Sequence, residues 1–198
     1  MSGKVFFIGC THFGHENMAK KRGFDSSEQH DELIISNWNK VVDKGDVTYL
    51  CGDVTMESKK FYPLLNELKG MKKVILGNHC MMNNVPELLK YVNGVAGIMK
   101  YKSKEYGSFW LTHCPVHPSE LDYRVGMNIH AHVHENSIDD KRYINVCCEN
   151  VDYTPRTLAE LMAASKKDLS TQGFLFQVDR LPVSKMSDPA DGRINVTH

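Results

Sequence analysis

Apolar and polar positions divide the chain into short segments. Residues 4–8 are a β-branched and aromatic run halted by Gly9, the pattern of a buried strand. Ser26 or Ser27 can cap a helix whose apolar face carries Leu33, Ile34, Trp38, Val41 and Val42, with Gly45 as its stop. Residues 47–51 make the next strand. A second helix is expected from Ser58 through Phe61, Leu64, Leu65 and Leu68 to Gly70. Residues 71–76 are again a strand, followed by a weaker helix over 86–91. Strand, helix, strand, helix, strand predicts a layered α/β sheet.

The texture then changes. Residues 95–101 and 108–112 read as a hairpin, and 127–133 and 143–146 as two more strands around a polar turn at Asp139 and Asp140. A helix over 157–166 and a strand over 173–178 follow. Residues 1–181 are expected to form a single domain. Gly, Pro, Ser and Asp mark 182–198 as a loose tail.

Composition narrows the class. Lys plus Arg (24) balance Asp plus Glu (24), so no bulk field favours nucleic acid or a membrane surface. The opening apolar run is too short for a signal peptide or a membrane span. The expectation is a cytoplasmic protein with reduced cysteines. The six cysteines contain no Cys-x-x-Cys pair, which argues against a zinc ribbon or a thioredoxin-like motif. Oligomeric state is left open.

The ten histidines change the picture because of where they fall. His12 and His15 follow the first strand, Asp53 the second, Asn78 and His79 the third, and His113 a fourth. His130, His132 and His134 alternate along a later strand, which would put three imidazoles on one face. The carboxyl edge of an open α/β sheet is where loops converge on ligands. Imidazole, amide and carboxylate donors suit zinc, iron or manganese. Asp53 can bridge two ions, and ions about 3.5–4 Å apart can activate water and clamp a phosphoryl group. His30 and His198 fall outside these segments and receive no role.

These residues resemble the calcineurin-like metallophosphoesterases, whose pattern runs Asp-x-His, Gly-Asp, Gly-Asn-His-Asp/Glu, a lone His, then Gly-His-x-His. The matching stretches are Cys10-Thr11-His12, Gly52-Asp53, Gly77-Asn78-His79-Cys80, His113 and Ala131-His132-Val133-His134, spread over roughly residues 4–160. The resemblance implies a four-layer α/β/β/α sandwich and hydrolysis of a small phosphoester, nucleotide derivatives included. It implies two divalent ions. One would be held by Cys10, His12, Asp53 and His134, the other by Asp53, Asn78, His113 and His132. A water between the ions would attack, and His79 would protonate the leaving oxygen. His15 and His117 would line the substrate side. The other reading is a catalytically weak or inactive metal-binding protein that recognises a phosphorylated ligand or partner.

Three positions depart from the pattern. Cys10 replaces an aspartate; it either supplies a thiolate, favouring Mn, Zn, Fe or Ni over Mg, or stays protonated and leaves the first site weak. Cys80 replaces the carboxylate expected to orient His79. Ala131 adds a methyl group in place of glycine. Cys51 and Cys114 are expected to be small buried residues, and Cys147 and Cys148 structural. Cys10 and Cys80 are the pair expected to join under oxidation. A cysteine-nucleophile phosphatase needs an arginine beside the thiolate. None follows Cys10 before Arg22, so that class is set aside.

Overall fold

The structure, a computed structural model, describes residues 3–171, with side chains through residue 165. It is a mixed α/β protein with two sheets. The expected strand at 173–178 and tail at 182–198 lie outside the described residues.

The first sheet is built from β1 (Val5–Ile8), β2 (Val47–Cys51), β3 (Met71–Ile75), β4 (Val95–Ala96) and β9 (Arg156–Thr157), in the order β4-β3-β2-β1-β9. β1 to β4 run parallel, and β9 pairs antiparallel with β1. The second sheet has the order β5 (Met99–Ser103), β6 (Gly107–Leu111), β7 (Met127–His130), β8 (Tyr143–Asn145). β5 and β6 form the expected hairpin, whereas β6, β7 and β8 are parallel. Three sequence expectations change here. The expected strand over 95–101 divides, giving Val95–Ala96 to one sheet and Met99–Ser103 to the other. The strand over 127–133 stops at His130. β8 runs parallel to β7, so the segment between them is a crossover and not a hairpin turn.

The helices are α1 (Glu16–Lys21), α2 (Ser27–Val41), α3 (Val85–Leu88) and α4 (Leu158–Thr171). Ser26 caps α2 by accepting from the Gln29 amide at 3.3 Å. Thr157 and Glu160 form a capping box at α4, the Glu160 carboxylate accepting the Thr157 amide at 2.7 Å. The helix expected from Ser58 winds instead as a 3₁₀ segment, Lys59–Glu67, around Pro63. Proline lacks the amide hydrogen and crowds the carbonyl four residues back, so an α-helix cannot run through it. α1, only six residues long, has too few turns for a periodic signal.

The core lies between the sheets. Phe7 on β1 and Tyr49 on β2 are in register, their rings 5.7 Å apart. Tyr101 of the second sheet meets both, at 5.5 and 5.8 Å. Phe7 is fully buried, a burial that contributes about 1.5–3 kcal/mol for a side chain of this kind. Because β1, β2 and β3 are parallel, their carboxyl ends share one edge, and so do those of β6 and β7. Beyond β1, Gly9 bridges the two sheets: its amide donates to Val146 at 2.7 Å, and its carbonyl accepts from Cys148 at 3.1 Å. Among the described residues, no helix is long and apolar enough to cross a membrane.

Candidate metal centre

Five loops leave those carboxyl ends and are laced together. The Cys10 amide donates to Gly52 O at 3.1 Å, His12 to Asp53 O at 2.9 Å, and Ala131 to His113 O at 2.9 Å. The backbone here is under strain. Among the described residues, eight non-glycine positions have positive φ, and Cys10, His12, Asp53, His132 and His134 are five of them. Side chains rarely adopt this region, at a cost of about 1–3 kcal/mol each. Most of this cost falls on candidate ligands, which marks the edge as a built site. Two glycines make room for it. A Cβ on Gly52 would collide with the His113 ring, and one on Gly77 with the Asp53 carboxylate.

Cys10, His12 and His134 offer ligand atoms that lie within 4.8 Å of one another, and so do Cys10, Asp53 and His113. Both ring nitrogens of His12 are buried and have no hydrogen-bond partner in the protein. Burial drives its pKa down to about 3, so the imidazole is neutral and keeps a lone pair for a ligand. Its ring stacks on His134 at 5.4 Å. His134 Nδ1 donates to Glu149 Oε1 at 3.0 Å, which turns its Nε2 lone pair outward in the manner of a carboxylate-supported metal ligand.

His113 presents the second crowding. Its Nδ1 donates to the Cys51 carbonyl at 3.0 Å, which directs the Nε2 lone pair into the loops. There Nε2 meets Asn78 Oδ1 at 2.8 Å, Asp53 Oδ2 at 3.1 Å and His132 Nδ1 at 3.1 Å. One proton on Nε2 would satisfy one neighbour; a divalent cation satisfies all of them. The donor set therefore fits metal ions. Burial opposes the charge on Asp53, but the adjoining His113 ring and the hydrogen bond from the His79 amide (3.0 Å) hold its pKa below the usual carboxylate range.

Cys10 Sγ accepts the His132 amide at 3.3 Å and touches Cys147 Sγ at 3.6 Å. The Cys147 contact and burial raise the Cys10 pKa, so the thiol needs a cation to become a thiolate.

Several sequence expectations are corrected. His130 does not join His132 and His134: it ends β7 buried, its Nδ1 bonded to Ala131 O at 2.9 Å and its ring against Tyr143 at 5.8 Å. The chain turns out of the strand after it. The carboxylate thought lost at Cys80 is supplied from another loop, Glu57 Oε1 standing 3.2 Å from His79 Nδ1. The Ala131 methyl is accommodated because residue 9 is glycine, where a Cβ would strike it. Cys51 is buried as expected, but Cys114 is exposed and groups with His113 and His132. The sulfur that touches Cys10 belongs to Cys147, not Cys80. His15 starts α1 with its ring 5.8 Å from that of His12, and His79 lies 6.1 Å from it. His117 caps the turn Pro118–Leu121 through Ser119 and is not among the clustered donors.

Sequence reasoning missed Arg22 and Glu149. The Arg22 side chain is only 2% exposed and donates to Glu149 Oε1 and to Cys10 O, both at 2.8 Å, while His30 Nε2 lies 2.8 Å from its third nitrogen. All three nitrogens are committed, so none is free to hold a phosphate beside Cys10. Burial opposes the charge on Glu149, but hydrogen bonds from His134 and Arg22 hold its pKa down to about 2.

No protein-family profile matches the chain. A crystal structure from Aquifex aeolicus, the protein of unknown function AQ665, shares the fold, with a TM-score of 0.66 and 24% identity over 82% of this chain and 99% of that one. An archaeal phosphodiesterase overlaps too loosely to carry an argument, at a TM-score of 0.45 and 21% identity over 72% of this chain and 82% of that one. The uncharacterized protein MJ1445 of Methanocaldococcus jannaschii is 33% identical over 167 residues, which cover 78% of this chain and 87% of that protein. That identity, sustained over most of both chains, makes this protein a member of the MJ1445 family.

Proposed function

We propose that the protein is a metal-dependent phosphoesterase with a dinuclear centre. The observation that carries this reading is the pair of adjoining donor sets, with the unpartnered His12 ring in one and the crowded His113 Nε2 in the other. Cys10, His12 and His134 would hold one ion and Asn78, His113 and His132 the other, with Asp53 between them. When bound, two divalent ions supply an activated water and neutralise charge on the phosphoryl oxygens.

The remaining roles belong to the chain itself. Glu57 holds the His79 ring through Nδ1, which leaves Nε2 to give a proton to the departing oxygen. The His79 amide fixes one oxygen of Asp53 and frees the other for the centre. His15, its ring 5.8 Å from that of His12, would contact the substrate. The substrate class is a small phosphomonoester or phosphodiester. The thiolate and imidazole donors favour Mn, Zn, Fe or Ni over Mg. The two facing sheets and their helices support reading the architecture as a four-layer sandwich within one domain.

The test is hydrolysis of bis-p-nitrophenyl phosphate and p-nitrophenyl phosphate by protein reconstituted with Mn, Zn, Fe, Ni or Mg under reducing conditions. Turnover that requires a transition metal and is lost in Asp53→Asn supports the reading. Absence of turnover with every metal, while two ions stay bound, would make the protein a binder of phosphorylated ligands.

A further inference from the structure

Cys10 and Cys147 are both fully buried, and their sulfur atoms are in van der Waals contact at 3.6 Å. Their backbones are fixed side by side. Gly9 and Cys147 form a parallel bridge, and the Gly9 amide and carbonyl are bonded to Val146 and Cys148. Cys10 is one residue beyond the bridged Gly9. A lateral spacing of about 4.8 Å and a rise of about 3.3 Å put its Cα roughly 6 Å from that of Cys147, within the range of about 4.4–6.8 Å that a disulfide needs. The sulfurs must close by a little over an ångström to reach the bond length of about 2.05 Å, a distance that side-chain rotation can supply.

Cys10 lies fully buried beneath an exposed residue of the site. Its sulfur accepts the backbone amide of His132, and the His132 side chain is exposed beside the exposed Cys114. Of the two sulfurs, Cys10 Sγ is the one bonded to an exposed residue of the site, and Cys147 Sγ lies behind it in contact at 3.6 Å. The order of attack follows from that placement.

We propose that Cys10 and Cys147 are a peroxide-sensitive pair whose disulfide disables the inner donor set. The Cys10 thiol gives up its proton as its sulfur attacks one peroxide oxygen; the O–O bond breaks, giving a sulfenic acid and a hydroxide that takes up that proton as water. Cys147 then loses its proton and attacks the Cys10 sulfur; the S–O bond breaks and a second water leaves. Two thiols and one peroxide become one disulfide and two waters, with the peroxide reduced by two electrons. A cation on Cys10 ties up the same sulfur lone pair, so metal loading and oxidation compete. This competition rests on the proposed metal centre; formation of the disulfide does not.

The experiment is thiol mapping by mass spectrometry after peroxide treatment of full-length protein, zinc-loaded and chelator-treated, with zinc content measured in parallel. Exposed Cys114 reports that oxidant was delivered. The proposal expects a Cys10–Cys147 linked peptide in the chelated protein, forming at least about tenfold more slowly in the zinc-loaded protein. It expects reduced zinc uptake after oxidation, reversed by dithiothreitol. In Cys147→Ser, which removes the resolving thiol, Cys10 should advance irreversibly to the sulfinic acid. Free Cys10 and Cys147 alongside oxidised Cys114 would overturn the proposal, as would sulfinic Cys10 with Cys147 free in the native sequence. Because mapping needs no turnover, a linked peptide in a protein that hydrolyses nothing would sink the phosphoesterase reading and leave the redox pair standing.

Discussion

Cys10 and His12 are almost completely buried, and His134 is tied through Glu149 to a buried arginine; Asn78, His132 and the neighbouring Cys114 are exposed. The two donor sets meet at Asp53 and His113, both buried. The inner set is a structural part of the core, with His134 held by Glu149 and the buried Arg22 side chain behind it. The outer set rests on loop backbone and on contacts among the donors themselves. Changes near the inner set should therefore act through metal retention and stability, and changes near the outer set through turnover.

The strongest way to break this contrast is at the junction. Asp53→Asn should reduce turnover by roughly 10³-fold or more with any metal, because it weakens both sets at once; kinetics on bis-p-nitrophenyl phosphate check this. Next, Glu149→Gln should loosen the inner ion about 10–100-fold and leave the outer one unchanged. Competition against a chelator, read as two separate binding steps, measures it.

Glu57→Gln tests the outer side. Loss of His79 orientation should cost about 10–100-fold on an alkyl phosphoester, whose leaving oxygen needs a proton, and far less on a p-nitrophenyl ester. Equal losses on both esters would mean that Glu57 merely holds the loop.

Cys10 gives a subtler effect. Its pKa is raised, so binding a metal must expel one proton, and log affinity should rise by about one per pH unit. Calorimetry in buffers of different ionisation enthalpy should count that proton, and Cys10→Asp should abolish it.

The smallest expected effect is on stability. His12 binds a proton below about 6.5 in the unfolded chain but only below about 3 when folded. Between those values the unfolded state holds more protons, so metal-free protein should lose stability as pH falls. Thermal melts from pH 7 to 4 should fall more steeply for the native sequence than for His12→Gln.

The part of the site legible in the sequence was the part that follows strands. His12, Asp53, Asn78 and His113 each come just after an apolar run, and strand ends are the easiest boundary to read. The error at His130 came from the same rule. Alternating histidines look like one strand face, but positive φ at His132 and His134 carries the chain out of the sheet, and alternation has no signal for that. Glu57, Arg22, Glu149 and Cys147 were missed because their roles come from contacts between distant segments. Arg22 lies 127 residues from Glu149, and Cys10 137 residues from Cys147. In the fold, Pro63 was visible as a helix breaker, whereas the division of residues 95–101 between two sheets depends on pairing partners alone.

Anomalous diffraction from crystals soaked in zinc or manganese tests the account most directly. It predicts two peaks on either side of the Asp53 carboxylate, one against Cys10, His12 and His134 and the other against Asn78, His113 and His132. A single peak, or peaks away from these residues, would contradict it.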